Sequence, residues 1–223
     1  MMMTGSTMPP HSPTVSTPAL WQRLSWVLAV LLGLVMADGR GTAAASDNAD
    51  QFIRELGGET IQMLTNKSLT QQQRDLEFRR LLLKGLDMEA VSRLVLGRHV
   101  REATDAQRTE FQRLFIDYIV QVYSALLGQY NGEGLTYRDS RDPQAADVTV
   151  STVIERKSGP PIRVDWLVHD TGTGYKITDV VVEGVSMVIT QRQQFDAVIQ
   201  QGGGRVDTLL DALRKQTTQA SAK

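Results

Sequence analysis

Cysteine is absent from this chain of 223 residues, and histidine occurs only three times. Without cysteine the protein has no disulfide bonds, so its stability must come from its core. It also has no cysteine that could carry a lipid anchor. His99 and His169 are far apart in the sequence, and no His-x-x-x-His pair occurs. The sequence therefore predicts no metal site.

The charge is almost balanced, with 24 Lys and Arg against 25 Asp and Glu, a formal net charge of −1. No run of basic residues alternates with aromatic residues, as nucleic-acid-binding surfaces usually require. We therefore expect no nucleic-acid partner.

The N-terminal segment has the pattern of a secretory signal peptide. Arg23 precedes an uncharged apolar run, Leu24–Ala37, that is too short to span a bilayer, which takes roughly 20 residues. Small residues follow, and the spacing favours cleavage after Ala45. We predict a signal peptide over 1–45 and a single domain over 46–223, exported most simply to a periplasm. An uncleaved anchor is the alternative.

Helical periodicity dominates the first half of the remaining chain. Asp47–Leu64 predicts a first helix, and Thr70–Gln73 is a capping box that opens a second. Asp87–Gly97 predicts a short helix ended by glycine, and Thr104–Gln107 is another capping box. The helix that it opens has an apolar, aromatic-rich stripe: Phe111, Leu114, Phe115, Tyr118, Ile119, Val122, Tyr123 and Leu126.

Alternating apolar residues and short turns predict a β-meander in the second half. The predicted strands are Leu135–Asp139, Asp147–Glu155, Ile162–His169 and Tyr175–Val182, with a turn at Asp142–Pro143. Two helices follow, Ser186–Gln201 and Val206–Lys215, joined by Gly202–Gly204. The order predicts an α+β fold: N-terminal helices, an antiparallel twisted meander and two C-terminal helices on one side of the sheet.

Ser186 is a candidate nucleophile, because Gly184-Val185-Ser186 matches most of the Gly-x-Ser-x-Gly signature of hydrolases. However, Val188 stands at the second glycine position, and no histidine follows, as that signature requires. We instead predict that Ser186 caps the next helix by accepting from a backbone N–H near Ile189.

Other candidates for chemistry are weak. Asp165 and Asp179 are predicted on neighbouring strands, and Asp139 and Asp147 near a turn, but acidic residues on such a sheet usually form its solvated face. Gly202–Gly204 joins two helices and lacks the Lys-Ser/Thr of a phosphate loop. We predict no catalytic residue, no cofactor and no enzyme activity.

Two long blocks resemble the MlaC (toluene-tolerance, auxiliary lipid-transport) family. The first is "LDMEAVSRLVLGRHVREATDAQRTEFQRLFIDYIVQVYSALLGQY" and the second is "YKITDVVVEGVSMVITQRQQFDAVIQQGG". Both occur in the order expected of the family, after a signal peptide. The sequence departs from the family at His99-Val100, where an aromatic pair is common.

The resemblance implies a periplasmic carrier of phospholipid with acyl chains buried between sheet and helices. Its transient partners would be an outer-membrane lipoprotein complex and an inner-membrane substrate-binding and ABC-transporter complex. Periodicity alone cannot distinguish a solid core from a lined cavity; the resemblance implies the cavity. The residues then expected to contact lipid are Leu114, Tyr118, Val122, Val150, Val164, Trp166, Val168, Ile177 and Val181, with Val185 and Met187 at the mouth.

Three alternatives remain open on the sequence. The ligand could be a hopanoid or another polycyclic lipid. The layout also resembles cone-shaped folds that include isomerases, for which Tyr118 and Asp165 would be the catalytic candidates. A binding adaptor with a solid core is the third.

Overall fold

The computed structural model describes residues 44–127, 130, 132–138 and 147–221. Its helices and strands follow the predicted order. The predicted signal peptide up to residue 43, the turn at Asp142–Pro143 and the side chain of Asp139 lie outside the described residues.

Four α-helices and a short 3₁₀ helix make up the first half. They are α1 (Ala44–Thr65), α2 (Gln71–Gly85), α3 (Met88–Leu96), the 3₁₀ helix (Gly97–Arg101) and α4 (Asp105–Leu127). Both predicted capping boxes are confirmed. Thr70 and Gln73 exchange side-chain-to-backbone hydrogen bonds of 2.9 and 3.2 Å, and Thr104 and Gln107 do the same at the start of α4. Each box satisfies N–H groups that the first helical turn leaves unpaired.

The helix ends are also set by local residues. Asp87 caps α3 by accepting from the backbone N–H of Ala90 at 2.9 Å. Gly97 ends α3 with a φ of +56°, in the left-handed region that favours glycine. A side chain at this position would also approach that of Arg192.

A five-stranded antiparallel sheet forms the second layer, in the order β1-β2-β3-β4-β5. Its strands are β1 (Gly134–Tyr137), β2 (Asp147–Glu155), β3 (Ile162–Asp170), β4 (Tyr175–Val182) and β5 (Val185–Ser186). One face of the sheet is fully buried at Val150 and Val168. Helices α1, α2 and α3 pack against β2 and β4, which covers that face.

Two further helices, α5 (Met187–Gln201) and α6 (Val206–Ser221), end the described chain. Gly202 ends α5, and Gly203 and Gly204 then take φ values of +74° and +80° in the tight connection. Helix α6 continues six residues beyond the predicted end at Lys215. The predicted α+β class is confirmed.

Helix α5 is fixed to the N-terminal half by His99, which is only 2% exposed. Its ring nitrogens lie 2.7 Å from carboxylate oxygens of Glu102 and Asp196. The hydrogen bond with His99 lowers the pKa of Asp196, and the positive charge of Arg98 lowers it further. No helix in the described ranges is long and apolar enough to cross a membrane.

Candidate functional site

An apolar cavity lies between the sheet and the helices. The space between its walls is about 1090 Å³, counting the part open to solvent, and the centre of a water molecule can reach about 140 Å³ of it. A cavity that holds a single water molecule needs only about 10–15 Å³ of the volume that a water centre can reach. The cavity is therefore far larger than a packing defect.

The lining is overwhelmingly hydrophobic and comes from α1 to α5 and from β2, β3 and β4. It consists of Leu56, Thr60, Phe78, Leu81, Leu82, Leu86, Val91, Val95, Phe115, Ile119, Tyr123, Ile154, Val164, Trp166, Ile177, Thr178, Asp179, Val180, Val182, Met187, Val188 and Gln191.

One stripe of α4 forms part of the helical wall. Phe115, Ile119 and Tyr123 succeed one another by four residues, so they lie on one line along the helix. The neighbouring line of the same apolar face contains Leu114 and Tyr118, which are buried outside the lining. Helix α4 thus uses one half of its apolar face for the cavity and the other half for packing.

Phe195 of α5 packs against α4 where the two lines meet. Its ring makes edge contacts with Phe111, Phe115 and Tyr118, with centroids 5.7 to 6.0 Å apart. Helix α6 also packs along α4. The side of α4 that carries Tyr118 is therefore covered by other side chains.

A bulge shapes the sheet wall. Val168 pairs with Ile177, but Leu167 pairs with Asp179, so Thr178 is an extra residue in β4. Because side chains alternate between faces, one extra residue reverses the alternation beyond it. Val180 and Val182 consequently share a face with their partners Trp166 and Val164 and line the cavity.

Four of the residues predicted to contact lipid line the cavity: Val164, Trp166, Ile177 and Met187. The other seven lie elsewhere. Leu114 and Tyr118 are buried in the helix packing, Val122 is half-buried, and Val150 and Val168 are fully buried in the sheet outside the lining.

The remaining two predicted positions are displaced by the bulge and the β4–β5 turn. Val181 pairs with Asp165 on the opposite face, because Thr178 shifts the alternation. Val185 is 46% exposed in the two-residue strand β5. Phe115, Ile119 and Tyr123 belong to the apolar stripe that periodicity predicted for α4. Periodicity does not indicate, however, which half of that stripe faces the cavity.

Polar groups in the wall are few and are mostly hydrogen-bonded within the protein. The indole N–H of Trp166 donates to the Thr152 hydroxyl at 3.0 Å, and the Thr60 hydroxyl donates to the Leu56 carbonyl at 2.8 Å. Burial raises the pKa of the Tyr123 phenol. It also raises the pKa of Tyr118 to about 12, because the charged phenolate is poorly solvated there. Both phenols therefore stay neutral at physiological pH.

Ser186 is the N-cap of α5, as predicted. Its Oγ accepts from the backbone N–H of Ile189 at 3.0 Å and donates to the carboxylate of Asp179. The same carboxylate accepts from the backbone N–H of Val188 at 3.1 Å. Asp179 and Ser186 together satisfy two N–H groups of the first turn.

Replacing Ser186 by alanine should lower the free energy of unfolding by about 1–3 kcal/mol, because a helix cap and a hydrogen bond to a charged group are lost together. Urea unfolding measures this change. The amount of bound ligand should stay at the wild-type level, and Ser186→Thr, which keeps a hydroxyl, should lose less stability. Complete loss of function with unchanged unfolding would instead support a chemical role for Ser186.

The two histidines of the described residues lie apart from Ser186. His99 faces Glu102 and Asp196, and His169 faces Asp147, so neither histidine is paired with Ser186. Asp165 accepts from the Ser151 hydroxyl on the face of the sheet away from the cavity. Within these residues no group of three acidic, histidine or cysteine side chains could hold a metal ion.

Comparisons with known proteins agree with this architecture. The family model described as MlaC protein matches residues 54–215. The toluene tolerance protein ttg2D of Pseudomonas putida is 24% identical over 142 residues. That match covers 63% of this chain and 66% of the relative, so it spans just under two thirds of the relative's length.

A solved structure has the same fold. The phospholipid-binding protein from Ralstonia solanacearum, determined in complex with a phospholipid, superposes with a TM-score of 0.70 at 20% sequence identity. The match covers 78% of this chain and 99% of the other.

Proposed function

Because the chain belongs to the MlaC protein family, we propose that it is a periplasmic carrier that binds phospholipid and moves it between membranes. The observation that carries the proposal is the apolar cavity between sheet and helices, with walls from β2, β3, β4 and five helices. The solved relative of the same fold was determined with a phospholipid bound. A cavity of this composition suits acyl chains.

The energetics favour a carrier of chains. Two acyl chains contain about 30 methylene groups, and burying them gains roughly 24 kcal/mol at about 0.8 kcal/mol each. A bilayer supplies a similar gain. Transfer in either direction therefore needs only near parity between the cavity and the membrane interior.

We further propose that the lipid passes between an outer-membrane lipoprotein complex and an inner-membrane substrate-binding and ABC-transporter complex. The near-neutral charge, with both signs present, suits transient docking to two partners in turn. No catalytic step is part of the proposal, and Tyr118 and Asp165, the candidates of the isomerase alternative, lie outside the cavity lining.

Export is the second element of the proposal. We expect residues 1–45 to be removed, so that the protein recovered from the periplasmic fraction begins at Ser46. N-terminal sequencing of the protein from fractionated cells checks this. Membrane-bound protein with an intact N-terminus would reject it.

Lipid extraction tests the ligand. The protein purified from cells should yield phospholipids of mixed acyl length, because one methylene in a hydrophobic pocket discriminates by only about 1–3 kcal/mol. Native mass spectrometry followed by lipid analysis of the organic extract measures the spread. A single dominant polycyclic species would replace the phospholipid by a hopanoid-like ligand, and a protein that neither carries nor takes up lipid would contradict the carrier.

A further inference from the structure

The cavity lining contains one acidic residue and no basic one. Among the described residues that form the wall, Asp179 is the single acidic side chain, and none is lysine, arginine or histidine. A ligand with a phosphate group therefore meets no fixed cation in this wall. The Asp179 carboxylate is thus the charged group of the wall that can interact with a neighbouring ligand group.

The Asp179 carboxylate is a half-buried part of the cavity wall, close to an exposed segment of the chain. It is hydrogen-bonded to the backbone N–H of Val188 and to the hydroxyl of Ser186, and Met187 between them is a half-buried lining residue. The adjoining residue on the outer side, Val185, is 46% exposed. This carboxylate therefore borders both the cavity and the solvent.

The partners of this carboxylate are uncharged. Its oxygens accept from the N–H groups of Val180 and Val188 and from the Ser186 hydroxyl, and in the part of the chain that the structure describes no ion pair involves Asp179. Among these residues, the charge of Asp179 is therefore offset only in part, by the partial positive charge of the α5 N-terminus.

The position at which a phosphate would otherwise bind is already occupied. A helix N-terminus attracts anions through its free N–H groups and its partial positive charge. At the start of α5, the N–H groups of Val188 and Ile189 donate to Asp179 and Ser186 instead. At this helix end, an anionic ligand would therefore meet a carboxylate in place of free N–H donors.

Gln191 indicates where a head group would lie. It is 7% exposed, lines the cavity and is one helical turn further along α5 than Val188. Its side chain is hydrogen-bonded to Tyr118, and its amide N–H lies 3.5 Å from the side-chain oxygen of Gln194. That long contact leaves a donor that an ester carbonyl at the top of the acyl chains could take over. A lipid held there would place its phosphate and head group a few bonds further out, beside Asp179.

We propose that Asp179 is a specificity-determining residue that disfavours lipids with a net negative head group and favours zwitterionic ones. The inference rests on the proposed lipid-carrier function and adds a head-group preference to it. The acyl chains bind without strong selection, while the carboxylate repels an uncompensated phosphate and attracts an ammonium group.

The test is competitive loading. The purified protein, stripped of lipid, is incubated with vesicles of equal amounts of phosphatidylethanolamine and phosphatidylglycerol, re-isolated and extracted. Mass spectrometry gives the ratio of the two bound lipids. Asp179→Asn, which keeps an acceptor oxygen for the α5 N–H groups, should raise the phosphatidylglycerol share. For an assumed separation of about 8 Å between the carboxylate and the head-group charge, and an effective dielectric constant between about 20 and 80, Coulomb's law gives a change in the ratio of roughly two- to thirtyfold.

Asp147→Asn is the matched control, because it removes the same charge from an exposed carboxylate that is paired with His169 outside the cavity lining. It should leave the ratio within about twofold. The wild-type preference should also shrink as salt is raised, since ions screen partly exposed charges. That measurement stands even if Asp179→Asn fails to fold.

The outcomes separate the two proposals. A normal lipid load with a ratio that responds neither to Asp179→Asn nor to salt overturns the role of Asp179 and leaves the carrier intact. No uptake of either lipid by the wild-type protein overturns the carrier itself. An equal response to Asp147→Asn would show a general effect of net charge and would also overturn the inference.

Discussion

Replacing Ile119 by tryptophan should weaken lipid binding by more than tenfold without unfolding the protein. Ile119 lies in the stripe of α4 that lines the open space, so the larger ring can extend into that space. Displacing even two methylene groups of a ligand costs about 1.6 kcal/mol. That corresponds to more than a tenfold loss of affinity. Lipid extracted per mole of protein measures the effect, with thermal unfolding measured in parallel.

The control lies on the same helix. Leu114 is 2% exposed and belongs to the packed half of the apolar face, outside the lining. Leu114→Trp should therefore overpack the core and cost about 1–3 kcal/mol. Each kcal/mol corresponds to roughly 2–4 °C in Tm for a domain of this size. If Ile119→Trp melted early and still carried a full load of lipid, the space beside Ile119 would not be the ligand site.

Replacing Phe195 by alanine should give the largest loss of stability. The Phe195 ring contacts Phe111, Phe115 and Tyr118 and joins α5 to α4. Truncating a buried phenylalanine costs about 3–5 kcal/mol. The total stability of a domain is only about 5–15 kcal/mol. Urea unfolding should show this loss, and bound lipid should fall too, because α5 also carries Val188 and Gln191 of the cavity wall.

Ile189→Ala provides the comparison on α5. Ile189 is 51% exposed, so its truncation should change the free energy of unfolding by no more than about 0.5 kcal/mol. A loss below about 1 kcal/mol in Phe195→Ala would mean that the aromatic cluster does not hold α5 in place. The loss of bound lipid should then also be absent.

Much of the fold could be predicted because its signals are local. The capping boxes at Thr70 and Thr104, the glycine that ends α3 and the serine that begins α5 each act through hydrogen bonds or dihedral angles within a few residues. The alternating residues of β2 and β3 likewise reflect one buried face, so the antiparallel meander and the α+β class followed from the residue pattern.

The candidate site was harder to predict because it depends on which elements meet. Val164 and Trp166 lie before any irregularity in β3, and simple alternation placed them on the buried face. Beyond Thr178 the same alternation fails, because the bulge moves Val180 and Val182 to the cavity and Val181 away from it. The residue pattern of β4 does not predict this extra residue.

The sequence by itself determined the elements, their order and the family, because helix caps, turns and side-chain periodicity act over a few residues. Only the tertiary structure decided which apolar residues surround open space. Leu114 and Ile119 belong to the same hydrophobic stripe, yet Leu114 is covered in the packing around α4 and Ile119 faces the cavity. That difference arises from the position of the neighbouring helices, which is a long-range property. Hydrophobicity favours the burial of both residues equally, so it does not determine which of them faces open space.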